Sequence, residues 1–60
     1  MTELLTIDEV ASYLKLPKST LYSWHHRKEG PMPFKLGKHL RYRAADVEAW
    51  LELQRPSPTA

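Results

Sequence analysis

The segment KSTLYSWHHRK, residues 18–28, brings together hydroxyl, aromatic, imidazole and cationic side chains. Such side chains can bind phosphates and the edges of DNA bases. Read as a helix, the segment has an apolar face that contains Leu21 and Trp24. The opposite face consists of Ser19, Tyr22, Ser23 and His26, and its ends are flanked by Lys18, Thr20 and Arg27. We predict that this polar face binds double-stranded DNA; the alternative is a generic amphipathic surface helix.

A second basic segment, FKLGKHLRY at residues 34–42, has the alternating pattern of a β-hairpin with a turn at residues 37–39. The predicted strands place Phe34, Leu36, Leu40 and Tyr42 on one apolar face, with Lys35 and Arg41 on the other. We expect the hairpin to contact DNA as a wing through its basic residues, which are Lys35, Lys38, His39 and Arg41. The alternative is a hairpin that only closes the core, with lysines that protect its edges from aggregation.

The three histidines lack the spacing of a catalytic or metal site. His25 and His26 are adjacent, so their side chains point about 100° apart on a helix, whereas a shared metal needs an i, i+4 pair. His39 belongs to another predicted element. There is also no Ser-His-Asp arrangement, catalytic carboxylate pair or glycine-rich phosphate loop. We therefore expect no enzymatic activity, no catalytic residues, no metal and no other cofactor.

The chain has 60 residues, no cysteine and a net charge of +2, which fits one small domain without disulfides. The charge is segregated: residues 1–14 carry −3, residues 15–43 carry +7 and residues 44–60 carry −2. A basic block between acidic ends indicates a surface that faces a polyanion; the alternative is charge kept for solubility. No apolar run could span a membrane and no signal peptide is recognisable, so we expect a cytoplasmic, nucleoid-associated protein.

Local signals predict where the helices begin and end. Thr6 and Glu9 fit a capping box for a first helix at about 7–14, with no strand before it. Pro17 cannot continue that helix and instead opens a second one at about 18–28, which gives a helix-turn-helix. Gly30 is the predicted left-handed residue that ends the second helix.

A third helix is predicted at about 44–54, with an apolar stripe of Val47, Trp50 and Leu51. We expect Trp50 to belong to the core, because a domain this small needs its large aromatic side chains inside. The fold class is therefore mainly α with a small β-hairpin wing. Residues 1–54 form the predicted domain, and residues 55–60 are expected to be a disordered tail.

Four segments appear in order along the chain: LLTIDEVASYL, KSTLYSW, LGKHLRYR and ADVEAWL. In this order they resemble the first helix, recognition helix, wing and closing helix of the small excisionase-type proteins of the MerR-like winged helix-turn-helix superfamily. The resemblance covers about residues 4–53 and is specific because all four segments have the right spacing. It implies DNA binding, with the second helix in the major groove and the wing along the backbone or in the minor groove.

The resemblance also implies a biological role. Such proteins are encoded by phages and other mobile elements, where they bind and bend attachment-site DNA and help an integrase to excise the element. The implied partners are double-stranded DNA, an integrase and adjacent copies of the chain. The positions that match the family's contact positions are Lys18, Ser19, Thr20, Tyr22, Ser23, Arg27, Lys38 and Arg41, whereas His25 and His26 depart from the usual residue types.

The excisionase role has two alternatives. A small transcription regulator needs the same fold and the same basic face, so the sequence does not decide between the two. A protein-interaction module that uses the third helix or the tail is the other alternative. Because the sequence shows neither the long dimerisation helix nor the effector domain of full MerR regulators, we do not expect a metal- or drug-sensing activator. No unpartnered apolar helix face or coiled coil is recognisable. We therefore expect a monomer in the absence of DNA.

Overall fold

The structure, a computed structural model, describes residues 3–56. Its elements are β1 (Leu4–Thr6), α1 (Ile7–Leu14), α2 (Lys18–Arg27), β2 (Phe34–Leu36), β3 (His39–Arg43) and α3 (Ala44–Leu53). The strands form one antiparallel sheet in the order β1-β3-β2. This is a winged helix-turn-helix fold, in which α1 and α2 are the helix pair and the β2-β3 hairpin is the wing. The predicted fold class is confirmed.

The start of α1 agrees with the prediction in detail. The Glu9 amide donates to Thr6 Oγ1 at 3.1 Å, and the Thr6 amide donates to Glu9 Oε1 at 2.8 Å. This reciprocal pair is a capping box, which satisfies two amides that the helix leaves free. The predicted helix at 7–14 is confirmed, and its Ile7, Val10 and Ala11 are buried as the apolar spacing indicates.

The turn between α1 and α2 is tight. Lys15 adopts a left-handed conformation with φ 59°, and the Leu16 amide donates to the Ala11 carbonyl at 3.0 Å. Pro17 has an extended backbone, and its carbonyl accepts from the Thr20 amide at 3.0 Å, which opens α2. The short turn fixes the orientation of α2 on α1, and Leu21 on α2 is only 1% exposed.

The prediction that Gly30 ends the second helix is wrong. The helix ends at Arg27, and Lys28 is the left-handed cap, with φ 58° and an amide that donates to the His25 and Trp24 carbonyls. Gly30 does have φ 69°, but for a different reason. A Cβ on Gly30 would lie 2.5 Å from Cε3 of Trp24, so the glycine lets the indole ring pack against the chain.

We expect Gly30→Ala to lower the free energy of unfolding by about 2–4 kcal/mol, because it combines left-handed strain with a clash against the Trp24 ring. Gly37→Ala is the matched control, since Gly37 has φ 66° but no atom of another described residue, apart from its chain neighbours, lies within 4 Å of the added Cβ. Gly37→Ala should lower the free energy of unfolding by only about 1 kcal/mol. Urea denaturation of both variants checks this, and equal losses would rule out the contribution from the Trp24 contact.

The core is small and lies between the helices and one face of the sheet. Its buried side chains are Ile7, Val10, Ala11, Leu21, Tyr42 and Val47. Leu5, Leu14, Trp24 and Leu40 are partly buried against them. Trp50, which was expected in the core, is half-buried and packs against Trp24, with ring centroids 5.4 Å apart and planes tilted by 49°.

Burial raises the pKa of Tyr42 above the ordinary value of 10.0, and the nearby Tyr22 adds to the effect. Because the folded state favours the neutral phenol, this contribution to stability is complete below pH 10.0 and is lost as the pH rises through the folded-state pKa. We expect the urea midpoint to fall above about pH 10 and to fall less in Tyr42→Phe. An equal fall in both proteins would contradict this role.

The prediction of no strand before the first helix is wrong. β1 pairs with β3, with Leu4 opposite Arg43, Leu5 opposite Tyr42 and Thr6 opposite Arg41. The Ala44 amide also donates to the Glu3 carbonyl at 2.8 Å. These bonds fix the start of α1 beside the wing.

The predicted apolar face of the hairpin is also wrong. Residues that are opposite in an antiparallel pair lie on the same face of the sheet. The register pairs Phe34 with Arg41, Lys35 with Leu40 and Leu36 with His39. Leu40 and Tyr42 therefore lie on the core face with Lys35. Phe34 and Leu36 lie on the outer face with Arg41, and they are 41% and 50% exposed.

Helix α3 follows β3 directly and ends at Leu53, one residue before the predicted end at 54. Val47 is 1% exposed and joins the core, whereas Leu51 is 37% exposed. Arg55 is the last charged residue described, and it pairs with Glu52 at 2.9 Å. The expected tail at 55–60 lies mostly outside the described residues, which end at Pro56.

Candidate nucleic-acid interface

The outward face of α2 is polar and accessible. Its four residues at helical spacing are exposed, as predicted, and they are Ser19, Tyr22, Ser23 and His26. Lys18 and Arg27 are exposed at the two ends. Thr20 differs, because it is half-buried on the side that carries Leu21 and Trp24. A side chain there is less accessible to a ligand than the four residues of the outward face.

The wing presents its cations around a two-residue turn. Gly37 and Lys38 form the turn, and His39 is the first residue of β3, not part of the turn as predicted. Lys35, Lys38 and His39 are exposed. Arg41 is half-buried, and its Nη1 donates to the Leu40 carbonyl at 2.8 Å, which holds the guanidinium against the strand.

An open groove of ≈ 520 Å³ lies between α2, the wing and the start of α1. It brings together residues that are distant in the sequence, and the predicted site residues that line it are Tyr22, His26, Lys35, Lys38, His39 and Arg41. The other predicted residues on α2 lie outside the groove lining, and they are Lys18, Ser19, Thr20, Ser23 and Arg27. The groove therefore joins part of the polar helix face to the basic hairpin.

His25 also lines the groove, and the sequence did not mark it as a site residue. Its ring is partly covered, and its Nδ1 is buried without a hydrogen-bond partner among residues 3–56. Helical spacing could have indicated that His25 lies near the site, because His25 is about 60° from Tyr22 around the helix axis. Only the position of the wing, which no local pattern gives, tells which flank of α2 faces the groove.

Two predicted cations are already paired with carboxylates. Lys18 Nζ lies 2.9 Å from Asp8 Oδ1, and Arg27 Nε lies 3.5 Å from Glu29 Oε2. The hydrogen bond to Asp8, helped by its charge, raises the pKa of Lys18. Both pairs are well exposed, so each is weak in water and can be exchanged for another anion. Lys35 and Lys38 have no carboxylate partner within residues 3–56.

The histidines do not form a metal centre in the part of the chain that the structure describes. Between residues 3 and 56, no three His, Cys, Asp or Glu side chains lie close enough to hold a metal ion. The rings of His25 and His26 have centroids 6.0 Å apart. The chemistry that the groove offers is hydrogen bonding, stacking and positive charge, which suits a polyanion with exposed bases.

Comparison with known families decides the class of this interface. A family model described as a helix-turn-helix domain matches residues 4–55, which is nearly the whole chain. The chain belongs to the helix-turn-helix domain family. No curated protein and no solved structure gives a significant match.

As a helix-turn-helix domain, the protein is a sequence-specific DNA-binding protein of a family whose members are typically not enzymes. The matched residues include both helices of the pair, the whole wing and α3. None of the helices described between residues 3 and 56 is long and apolar enough to cross a bilayer.

We expect Asp8→Asn to raise the affinity for duplex DNA about 3- to 10-fold at low salt, because it removes a negative charge from the groove and frees Lys18. Asp46→Asn is the matched control: it removes the same charge from the first turn of a helix, outside the groove. Fluorescence anisotropy titrations of a labelled duplex measure both. If Asp8→Asn bound no more tightly than the control, the Asp8–Lys18 pair would have no part in DNA binding.

Proposed function

We propose that this helix-turn-helix domain is an excisionase-type recombination directionality factor of the MerR-like winged superfamily. In this role it binds and bends attachment-site DNA, so that an integrase can excise a phage or other mobile element. The observation that carries the proposal is the groove, where an exposed polar helix face and a basic hairpin meet on one side of a small domain. The four sequence segments that resemble excisionase-type proteins support this role. A small transcription regulator needs the same fold and the same basic face, and it is the alternative that the experiment below distinguishes.

In this proposal α2 enters the major groove, which is wide enough for a helix. The residues of α2 that contact DNA are Lys18, Ser19, Thr20, Tyr22, Ser23, His26 and Arg27. The wing follows the neighbouring backbone through Lys35, Lys38, His39 and Arg41. Hydroxyl and imidazole groups read base edges, while the cations neutralise phosphates. Thr20 contributes least, because it is half-buried.

The small size of the domain supports binding by several copies. A single module of this kind buries about 600–1,000 Å² on DNA, so one copy binds weakly. Bending a site costs about 1–6 kcal/mol, which one weak contact offsets poorly. Several copies on adjacent sites share that cost, so we propose cooperative filling of the attachment site. An integrase that binds the same DNA is the proposed protein partner.

The experiment that tests the proposed function is a gel-shift titration with circularly permuted probes from the ends of the element. A fragment of equal length from inside the element is the control. The proposal predicts stepwise, cooperative shifts with a bend, and stimulation of integrase-mediated excision in vitro. A single unbent complex on a promoter fragment would instead favour the transcription regulator. No shift on any fragment would leave only the protein-interaction module.

A further inference from the structure

All three histidines of the chain line the same groove, although they belong to different elements. His25 and His26 lie on α2, and His39 is the first residue of β3. His26 and His39 are exposed, whereas His25 is partly covered. Histidine is the side chain whose charge ordinarily changes between about pH 5 and 8. The groove therefore contains every side chain of this cysteine-free protein that ordinarily titrates in that range.

The other charged groups around these histidines come from every element that borders the groove. The one carboxylate in the lining is that of Asp8 on α1, and Lys18 Nζ already lies 2.9 Å from it. Arg27 and Glu29 pair with each other outside the lining, and Tyr22 adds a phenol to it. The cations that line the groove are Lys35, Lys38 and Arg41. Among the described residues, the groove therefore offers an imidazolium no unpaired carboxylate.

The position of the groove fits one strand of a DNA backbone. If α2 lies in the major groove and the wing lies beside it, the sugar-phosphate strand at the edge of the major groove passes between α2 and the wing. The open space of ≈ 520 Å³ lies between these two elements. Side chains that line this space therefore meet phosphates, each of which carries a negative charge and accepts hydrogen bonds.

We propose that the groove binds the DNA backbone with uptake of protons at His26 and His39. This inference rests on the proposed DNA binding through the groove, and it adds a regulation of that binding by pH. A neighbouring phosphate favours the charged imidazolium over the neutral imidazole. The DNA-bound protein therefore holds more protons than the free protein, so the affinity for DNA rises as the pH falls. The rise stops once the histidines of the free protein are protonated.

His25 is not one of the residues that gain a proton in this proposal. A protonated imidazole donates a hydrogen bond from each of its two ring nitrogens. The Nδ1 atom of His25 is buried and has no hydrogen-bond partner among residues 3–56. A proton on this atom would be a buried donor without an acceptor, which is unfavourable. His25 therefore provides a comparison within the same groove, because it shares the location of His26 and His39 but not their exposure.

The test is a set of fluorescence anisotropy titrations with a labelled mixed-sequence duplex, at about pH 7.5 and about pH 5.5 and at constant ionic strength. The affinity of the wild-type protein should be about 10-fold higher at the lower pH, because each exposed imidazolium contributes about 3-fold. The double variant His26→Gln, His39→Gln should change by less than about 2-fold. His25→Gln is the matched control, and it should keep the full rise. Circular dichroism checks that every variant is folded at both pH values.

The salt dependence of binding gives a second readout, which a change in folding alone does not produce. Each imidazolium that binds a phosphate releases counterions from the DNA. For the wild-type protein, the slope of log affinity against log salt should therefore be steeper at the lower pH by up to about 1.8. The double variant should have the same slope at both pH values.

A histidine outside the groove separates local contact from net charge. Ser12 is exposed and does not line the groove, so Ser12→His in the double variant should leave the affinity independent of pH. The inference is overturned if the double variant keeps the rise, if His25→Gln loses it, or if Ser12→His restores it. Wild-type binding that does not depend on pH would overturn this inference alone. No binding to any duplex at either pH would overturn the proposed DNA binding as well.

Discussion

Leu21→Ala is expected to lower the free energy of unfolding by about 2–5 kcal/mol. Leu21 is 1% exposed and lies on the face of α2 that packs against α1, so the substitution leaves a cavity between the two helices. A single core in a chain of this size rarely supplies more than about 3–5 kcal/mol. Much of the Leu21→Ala protein should therefore be unfolded at room temperature. Urea denaturation followed by circular dichroism and by tryptophan fluorescence measures the loss.

Leu53→Ala is the matched control, because the same side chain is shortened on a helix where it is 80% exposed. Its effect should stay within about 0.5 kcal/mol. If Leu21→Ala cost no more than this control, α2 would not be held by the core. The outward face of α2 would then lack a fixed orientation towards the wing.

Reversing two charges of the wing, Lys38→Glu together with Arg41→Glu, should lower the affinity for duplex DNA by about 100-fold at low salt. Both residues line the groove. Each phosphate contact that is lost should also make the slope of log affinity against log salt less steep by about 0.9. If the wild-type protein contacts about four phosphates, its slope should be about −3.6 and that of the variant about −1.8. Anisotropy titrations at several salt concentrations measure both quantities.

Lys15→Glu together with Lys28→Glu is the control for this pair. Both lysines are exposed and lie outside the groove lining, and the net charge changes by the same amount. The control should lose far less affinity and keep a slope close to that of the wild-type protein. Equal losses in the two double variants would mean that only net charge matters, which would contradict a defined contact through the wing.

The features that the sequence predicts well are local ones. The Thr6–Glu9 capping box, the stripe of α1 and the polar face of α2 each depend on residues within about two turns of helix. Pro17 at the start of α2 is equally local, because its ring restricts the residue before it. These features were expected from spacing alone, and the structure has them at the predicted positions.

The features that the sequence did not predict depend on distant residues. β1 is only three residues long, too short for an alternating pattern, and its partner β3 lies more than thirty residues away. The faces of the hairpin were wrong because the two-residue turn starts β3 at His39. A shift of one residue in register turns every side chain to the other face. The left-handed cap at Lys28 was missed because Gly30 offered the stronger local signal.

The candidate site also combines features that local spacing predicts with features that depend on distant residues. Which side chains of α2 are exposed follows from helical spacing, and only Thr20 lies differently. Which of them face the wing does not follow, because the groove depends on how the hairpin packs beside α2. His25 was therefore left out of the predicted site. The exposure of Phe34 and Leu36 was missed for the same reason, since both were expected on the core face.

The most direct test of DNA binding at the groove is an amide NMR titration of the chain with a short cognate duplex. DNA binding there predicts that the largest chemical-shift changes fall on residues 19–27 and 35–41, with Tyr22 and Lys38 among them. The amides of α3 and of Phe34 should change little. Large changes confined to α3 or to Leu4 and Phe34, with α2 unaffected, would contradict DNA binding through the groove.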